Sequence, residues 1–240
     1  MQQTITGLYL NHTNYGDTSV ILRLYTLQYG TTSFIVKGIK KKKGGAALLQ
    51  PFHYLELSSN YRTDKDLNFG NQVRLAKVSY SITSDIRKGT VAIFLTEVLN
   101  KTLKESAPSE DVFRIIESLI NYYDDAPFIP LFHHYFLIQL IKLLGVSPNL
   151  GNHLDNEVLH IQNGIFEYNK QPNKEYFSIA SSNAFKQILG TKFDELAILK
   201  LTKNTKQNLL ENLVEYIETQ TEIKRGSIRS YKILETIFND

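Results

Sequence analysis

Hydrophobic and polar positions along the chain follow two different periods. Up to about residue 80 the apolar residues come in short β-branched and aromatic runs, and beyond it they recur at three- and four-residue steps. Four runs in the first part predict strands at 4–11, 18–27, 32–39 and 52–58, with a fifth, less regular one between 67 and 81. In the second run Val20, Leu22 and Leu24 alternate with Ile21, Arg23 and Tyr25, the pattern of a strand with one face toward a core. Breaks fall at Tyr15-Gly16-Asp17, at Tyr29-Gly30 and over the polar stretch 58–66. Ala46-Ala47-Leu48-Leu49 predicts one helical turn that stops at Gln50-Pro51, because the residue before a proline resists the helical conformation. Five strands with a short helical insert outline an OB-type β-barrel.

In the second part Val91, Phe94, Leu95, Val98 and Leu99 share one face of a helix expected over 86–103. Ser109 followed by Glu110 and Asp111 supplies an N-cap and an acidic first turn for a helix running to about Tyr123. Residues 131–144 are apolar on nearly every side, which predicts a buried central helix ended by Gly145 and Pro148. A β-hairpin is expected at about 157–169, with Asn163-Gly164 as a type I′ turn. Further helices are expected near 182–189, 194–201, 203–221 and 230–238. The fold class is thus α+β: an OB-fold barrel over 1–80, then a mainly α-helical domain over 81–240 with a hairpin insertion. No low-complexity linker separates them, so a tight boundary near residue 80 is expected.

Composition narrows the function. Of 240 residues, 42% are hydrophobic and 21% charged, which is the balance of a folded chain and not of a disordered tail. No run approaches the length of a membrane-spanning helix, and Met1-Gln2-Gln3-Thr4 lacks the pattern of a secretory signal, so a cytoplasmic location and no membrane partner are expected. With no cysteine, the chain has no disulfide, thiolate metal site, iron–sulfur cluster or cysteine nucleophile. Charge is uneven: the first eighty residues carry 10 Lys+Arg against 4 Asp+Glu, the remainder 17 against 20. A basic first third joined to a mildly acidic remainder suits a domain that meets a polyanion.

Signs of catalysis are missing. Gly44-Gly45 is followed by Ala46-Ala47 and not by the lysine and hydroxyl of a phosphate-binding loop. There is no G-x-S-x-G, no H-E-x-x-H and no paired carboxylate cluster, and Asp64-Lys65-Asp66 reads as an exposed turn. His133 and His134, adjacent on a helix, point about 100° apart and do not share an ion as i, i+4 histidines do. His153 and His160 flank the hairpin start without a third ligand. No enzyme activity, metal or cofactor is expected.

The strongest positive feature is Lys37-Gly38-Ile39-Lys40-Lys41-Lys42-Lys43-Gly44-Gly45, read as a mobile cationic loop at the barrel rim. Such a loop suits a phosphate backbone, because every neutralised phosphate releases a condensed counterion whatever the base sequence. Arg23, Arg62 and Arg74 add charge in the same domain. Among the aromatics, Phe34 and Phe52 are expected to fill the barrel, and Tyr25, on the strand face of Arg23, is a candidate for stacking on bases. Two other readings stay open: an OB-type scaffold that grips another protein without touching DNA, and a metal-dependent nuclease.

On these residues the chain resembles the RecO family of bacterial recombination mediators. The resemblance is carried by Tyr15-Gly16-Asp17-Thr18, Ile21, Tyr25-Thr26, Gly30, Lys37-Gly38-Ile39-Lys40, Leu49-Gln50-Pro51-Phe52 and Leu55-Glu56-Leu57. It continues more loosely through Leu143-Leu144-Gly145-Val146-Ser147-Pro148 and Ile228-Arg229-Ser230-Tyr231-Lys232-Ile233-Leu234. Many relatives are similar to one another in a four-cysteine zinc module after the L-G-x-x-P segment. Here the hairpin stands in that place, and no zinc is carried over. The resemblance implies an OB-fold domain before a helical one, no catalytic residues, binding to single- and double-stranded DNA, and annealing of complementary strands. It also implies partnership with RecR and with the C-terminal tail of single-stranded DNA-binding protein (SSB), so that recombinase is loaded on coated DNA. Lys37 and Lys40 to Lys43 are then the leading DNA contacts, with Arg23, Arg62 and Arg74 beside them. Lys224, Arg225, Arg229 and Lys232 are candidates for the cationic lip of a groove that holds the acidic, apolar tail.

Overall fold

A computed structural model describes residues 2–104, 107–150, 157–168 and 173–238. The chain forms two compact units, Met1–Pro127 and Phe128–Asp240. The first opens with strands β1 (Gln3–Tyr15), β2 (Ser19–Thr26) and β3 (Gly30–Val36), then the helical turn α1 (Gly45–Leu48), β4 (Tyr54–Ser59) and β5 (Leu67–Lys77). The five strands close in the order β1-β2-β3-β5-β4, with β4 pairing back onto β1. Only β3 and β5 run parallel. This is the OB-type barrel that the runs predict.

Alternation decides the core. Val20, Leu22 and Leu24 point inward with Ile5, Phe34, Val36, Leu55 and Leu57, all buried. Two details lie beyond simple alternation. β1 runs on to Tyr15, past the predicted end at Asn11, because its partner β2 continues with it through a bulge between Tyr9 and Asn11. Tyr25 lies on the outer face yet is buried.

Its cover is helical. After α2 (Tyr80–Ser84) and α3 (Ile86–Thr102), helix α4 (Glu110–Asp125) starts at Ser109, whose hydroxyl accepts from the Val112 amide as an N-cap should. Phe113 on α4 packs its ring 6.0 Å from Tyr25 and 5.9 Å from Tyr54. Residues just beyond α3 are held on the barrel wall: the Thr31 hydroxyl donates to the Leu103 carbonyl, and the Arg23 guanidinium donates to the Lys104 carbonyl.

The second unit is built on α5 (Phe132–Leu143), α6 (Ile179–Gly190), α7 (Lys203–Gln220) and α8 (Tyr231–Phe238), with the hairpin β6 (Glu157–His160) and β7 (Ile165–Tyr168). As the all-round apolar pattern predicts, α5 is buried along most of its length. The hairpin differs from its predicted turn. His160 pairs with Ile165, so the loop is the four residues Ile161-Gln162-Asn163-Gly164, and only Gly164 takes positive φ (63°). A type I′ turn needs positive φ at both central residues, which rules it out. Both hairpin edges are occupied: the Asn149 amide donates to the Gly164 carbonyl at 2.8 Å, and the Phe177 amide donates to the Leu159 carbonyl at 2.8 Å. The segment 194–201 is not a helix but a single 3₁₀ turn, Phe193–Glu195. Leu196 is its one buried apolar anchor while Ile198 stays exposed, too little burial to offset helix nucleation.

Among the described residues no helix is long and apolar enough to cross a membrane. No group of three metal-binding side chains gathers among them either. His153 lies outside the described residues. His133 and His134 are both buried, with ring centroids 4.2 Å apart, closer than their divergent helical directions imply.

Candidate nucleic-acid interface

Sequence around the lysines dictates a tied turn in place of the expected mobile loop. Ile39 is an apolar residue inside a cationic run, and it is buried in the barrel core while Lys37, Lys40, Lys41, Lys42 and Lys43 stay exposed. Gly38 has φ of 72°, which lets the chain leave β3 and drop Ile39 inward. The amides then close on nearby carbonyls: Lys40 on Thr18 (3.2 Å), Lys41 on Gly38 (3.1 Å) and Gly45 on Lys42 (2.8 Å). Gly45 is the tightest position. A Cβ there would stand 1.9 Å from the Ile39 carbonyl oxygen, a backbone atom that cannot swing away. Gly45→Ala is therefore expected to destabilise the first unit by about 2 kcal/mol and to weaken any function that depends on the lysine geometry. Urea unfolding of the variant checks this; a midpoint equal to wild type removes the constraint.

Two lysines in this turn also hold its flanks. The Lys40 ammonium donates to the Gly16 carbonyl at 3.3 Å, at the tip between β1 and β2. The Lys42 ammonium donates to the Val73 carbonyl on β5 at 2.9 Å. Lys37, at the end of β3, sits 5.1 Å from the centre of the Phe69 ring on β5. Between the turn and β1 opens a cleft of about 280 Å³ lined in part by His12, Asn14, Lys40 and Gln50. The Tyr9 hydroxyl and His12 Nδ1 are 2.7 Å apart, and partial burial followed by the Lys40 charge lowers the affinity of His12 for a proton.

The arginines are placed differently. Arg62 makes an exposed ion pair with Asp64 at 2.6 Å, and Arg74 pairs with Glu56 across β4 and β5. Exposed pairs of this kind are worth little and open readily to a better anion. Arg74 follows Val73, which brings it beside the Lys42 contact, whereas Arg23 is engaged at Lys104 near the end of α3. In the second unit Lys224 and Arg225 are exposed in the turn after α7, with Arg225 paired to Glu215, and Arg229 and Lys232 are exposed at the start of α8. Glu218, buried below that turn, accepts from the amides of Gly226 and Ile228, both at 2.7 Å.

Among the aromatics, Tyr25 is buried under Phe113 and presents no open face for stacking. Phe69 is 56% exposed on the outer wall. Its only sequence signal was an apolar residue out of phase between the buried Asn68 and Gly70.

A closed five-stranded barrel of OB type with a lysine-rich turn on its rim, followed along the chain by a helical region with a small hairpin, defines the class: OB-barrel proteins extended by a helical carboxyl-terminal half. The chain belongs to the RecO family of DNA repair proteins. Residues 1–78 match the family model for the N terminal part of recombination protein O, and residues 83–229 match that for its C terminal part. Curated relatives named DNA repair protein RecO include one from Christiangramia forsetii, 27% identical over 93% of this chain and 94% of that protein. One from Flavobacterium psychrophilum is 25% identical over the full length of both chains. Another, from Phocaeicola vulgatus, is 30% identical over 69% of this chain and 70% of its own.

Proposed function

We propose that this chain is a non-enzymatic recombination mediator that acts in the cytoplasm. In this reading it binds single- and double-stranded DNA, anneals complementary strands and helps load recombinase on SSB-coated single strands. One observation carries it: five exposed lysines stand on a turn that is itself tied to β5 and to the β1–β2 turn at Gly16 and Thr18. Charge held on a fixed rim neutralises phosphate without reading bases, and two strands so neutralised come together without covalent chemistry. Lys37 and Lys40 to Lys43 lead, Arg62 and Arg74 exchange their carboxylates for phosphate, and Arg23 adds charge elsewhere on the same barrel. RecR and the SSB tail are the protein partners of this reading, the tail meeting Lys224, Arg225, Arg229 and Lys232.

A salt titration tests the proposal. With about four phosphates of a single strand engaged, log affinity falls against log salt with a slope of roughly −3, about fifty-fold between about 50 and 200 mM. Replacing Lys40 to Lys43 by alanine flattens that slope and slows annealing while circular dichroism shows the protein still folded. No binding at the lowest salt rejects DNA as the ligand in favour of a protein scaffold. Shortened strands in the presence of magnesium or manganese would instead make the chain a nuclease.

A further inference from the structure

We infer that Phe69 is a stacking platform that grips one unpaired base, and that it gives the barrel a preference for single-stranded over duplex DNA. The inference rests on the DNA-binding reading above and names a contact that lysines alone do not supply.

Phe69 lies in the interior of β5, where a ring normally packs inward or is covered by a neighbouring element. Here it faces outward and remains 56% exposed. It is not loose. In the parallel ladder it stands opposite Ile35 of β3, which fixes its place in the strand register. The Lys37 ammonium is 5.1 Å from the ring centre, within cation–π range. The outer wall at strands 2 and 3 is where OB barrels take oligonucleotides. On this barrel, the end of that wall beside Arg23 and Thr31 is occupied by the residues following α3. Lys37 and Phe69 both stay exposed.

A nucleotide presents a flat π face and an anionic phosphate, and an exposed ring beside an ammonium answers both. Stacking tolerates any base, since every base has a π face, so it adds affinity without sequence preference. In a duplex those faces are already covered by neighbouring base pairs, and the ring gains nothing there. The lysines attract both forms of DNA, and the ring separates them.

Two variants of the full chain test this with labelled oligo-dT and a labelled duplex of equal length at low salt. Phe69→Ala is expected to weaken single-strand affinity about tenfold and to change duplex affinity by less than about twofold. The chain has no tryptophan, so Phe69→Trp introduces a single indole reporter. Its emission is expected to be quenched by oligo-dT and left unchanged by duplex. Wild-type protein that binds neither DNA overturns the underlying reading and this inference together. If wild type binds but Phe69→Ala binds oligo-dT equally well and the indole is not quenched, only the stacking role falls. Equal losses for oligo-dT and duplex also overturn it, making the ring a support for Lys37.

Discussion

Lys88→Met is expected to lower the stability of the first unit by about 4 kcal/mol, because it keeps an aliphatic stem but removes the ammonium that donates to four acceptors. Lys88 is 2% exposed, on the inner side of α3. Its ammonium donates to the carbonyls of Tyr123 (2.7 Å) and Asp124 (3.1 Å), to that of Ala126, and to the Ser81 hydroxyl. Three of those acceptors are carbonyls at the end of α4, which the helix itself cannot satisfy. A cation there also meets the negative end of the helix dipole. Burial lowers the lysine's proton affinity, opposed by the charges of Asp124, Asp85 and Asp125. Methionine leaves the carbonyls buried and unpaired, so the penalty comes from the acceptors left behind. Chemical denaturation of wild type, Lys88→Met and Lys88→Arg measures this. A loss under about 1 kcal/mol for methionine shows that water reaches those carbonyls and the lysine is dispensable.

Acidification is expected to destabilise the second unit progressively as the pH falls from 6.5 toward 4. His134 is fully buried on α5, where its Nε2–H donates to the Lys206 carbonyl at 2.8 Å and its Nδ1 has no hydrogen-bond partner among the described residues. Burial is the chief reason its pKa falls from 6.5 to about 4, opposed by the hydrogen bond to the Lys206 carbonyl and aided by the Lys206 charge. His133 is pushed well below its ordinary value by burial, then by His134 and Lys206. The unfolded imidazole takes a proton near pH 6.5 and the folded one only near pH 4, so the unfolded state binds more protons between them. Stability is therefore complete above pH 6.5 and declines as the pH falls toward 4. The decline is on the order of 3 kcal/mol for His134 alone. Urea midpoints between pH 7.5 and pH 4 follow it. His134→Gln, which keeps a donor for Lys206, is expected to flatten the curve; an unchanged pH slope in that variant assigns the acid lability elsewhere.

Much of the fold was legible because local rules agreed with the final packing. The inward set Val20, Leu22 and Leu24, the Ser109 cap and the all-apolar α5 each follow from a period or a cap that needs no knowledge of distant residues. Errors came where distant residues decided. Asn163-Gly164 carries the dipeptide of a tight turn, but the loop spans four residues in a hairpin whose edges are paired with Asn149 and Phe177. Tyr25 has the phase of a surface residue and is covered by Phe113, 88 positions later in the chain.

The candidate site divides in the same way. Lysine density at 37–43 and glycines at 38, 44 and 45 are composition, and they identify the charged turn unaided. That Lys42 reaches Val73, that Arg62 and Arg74 carry carboxylate partners, and that Phe69 stands open beside Lys37 are properties of strand register.

By itself the sequence determined where charge and apolar periods lie, and hence a basic barrel followed by helices, because alternation and capping act within a few residues. Only the tertiary structure decided which of those side chains are covered, paired or left facing solvent. Closing β4 and β5 onto β1 and β3 brings residues tens of positions apart within contact distance, and no short-range pattern encodes that proximity.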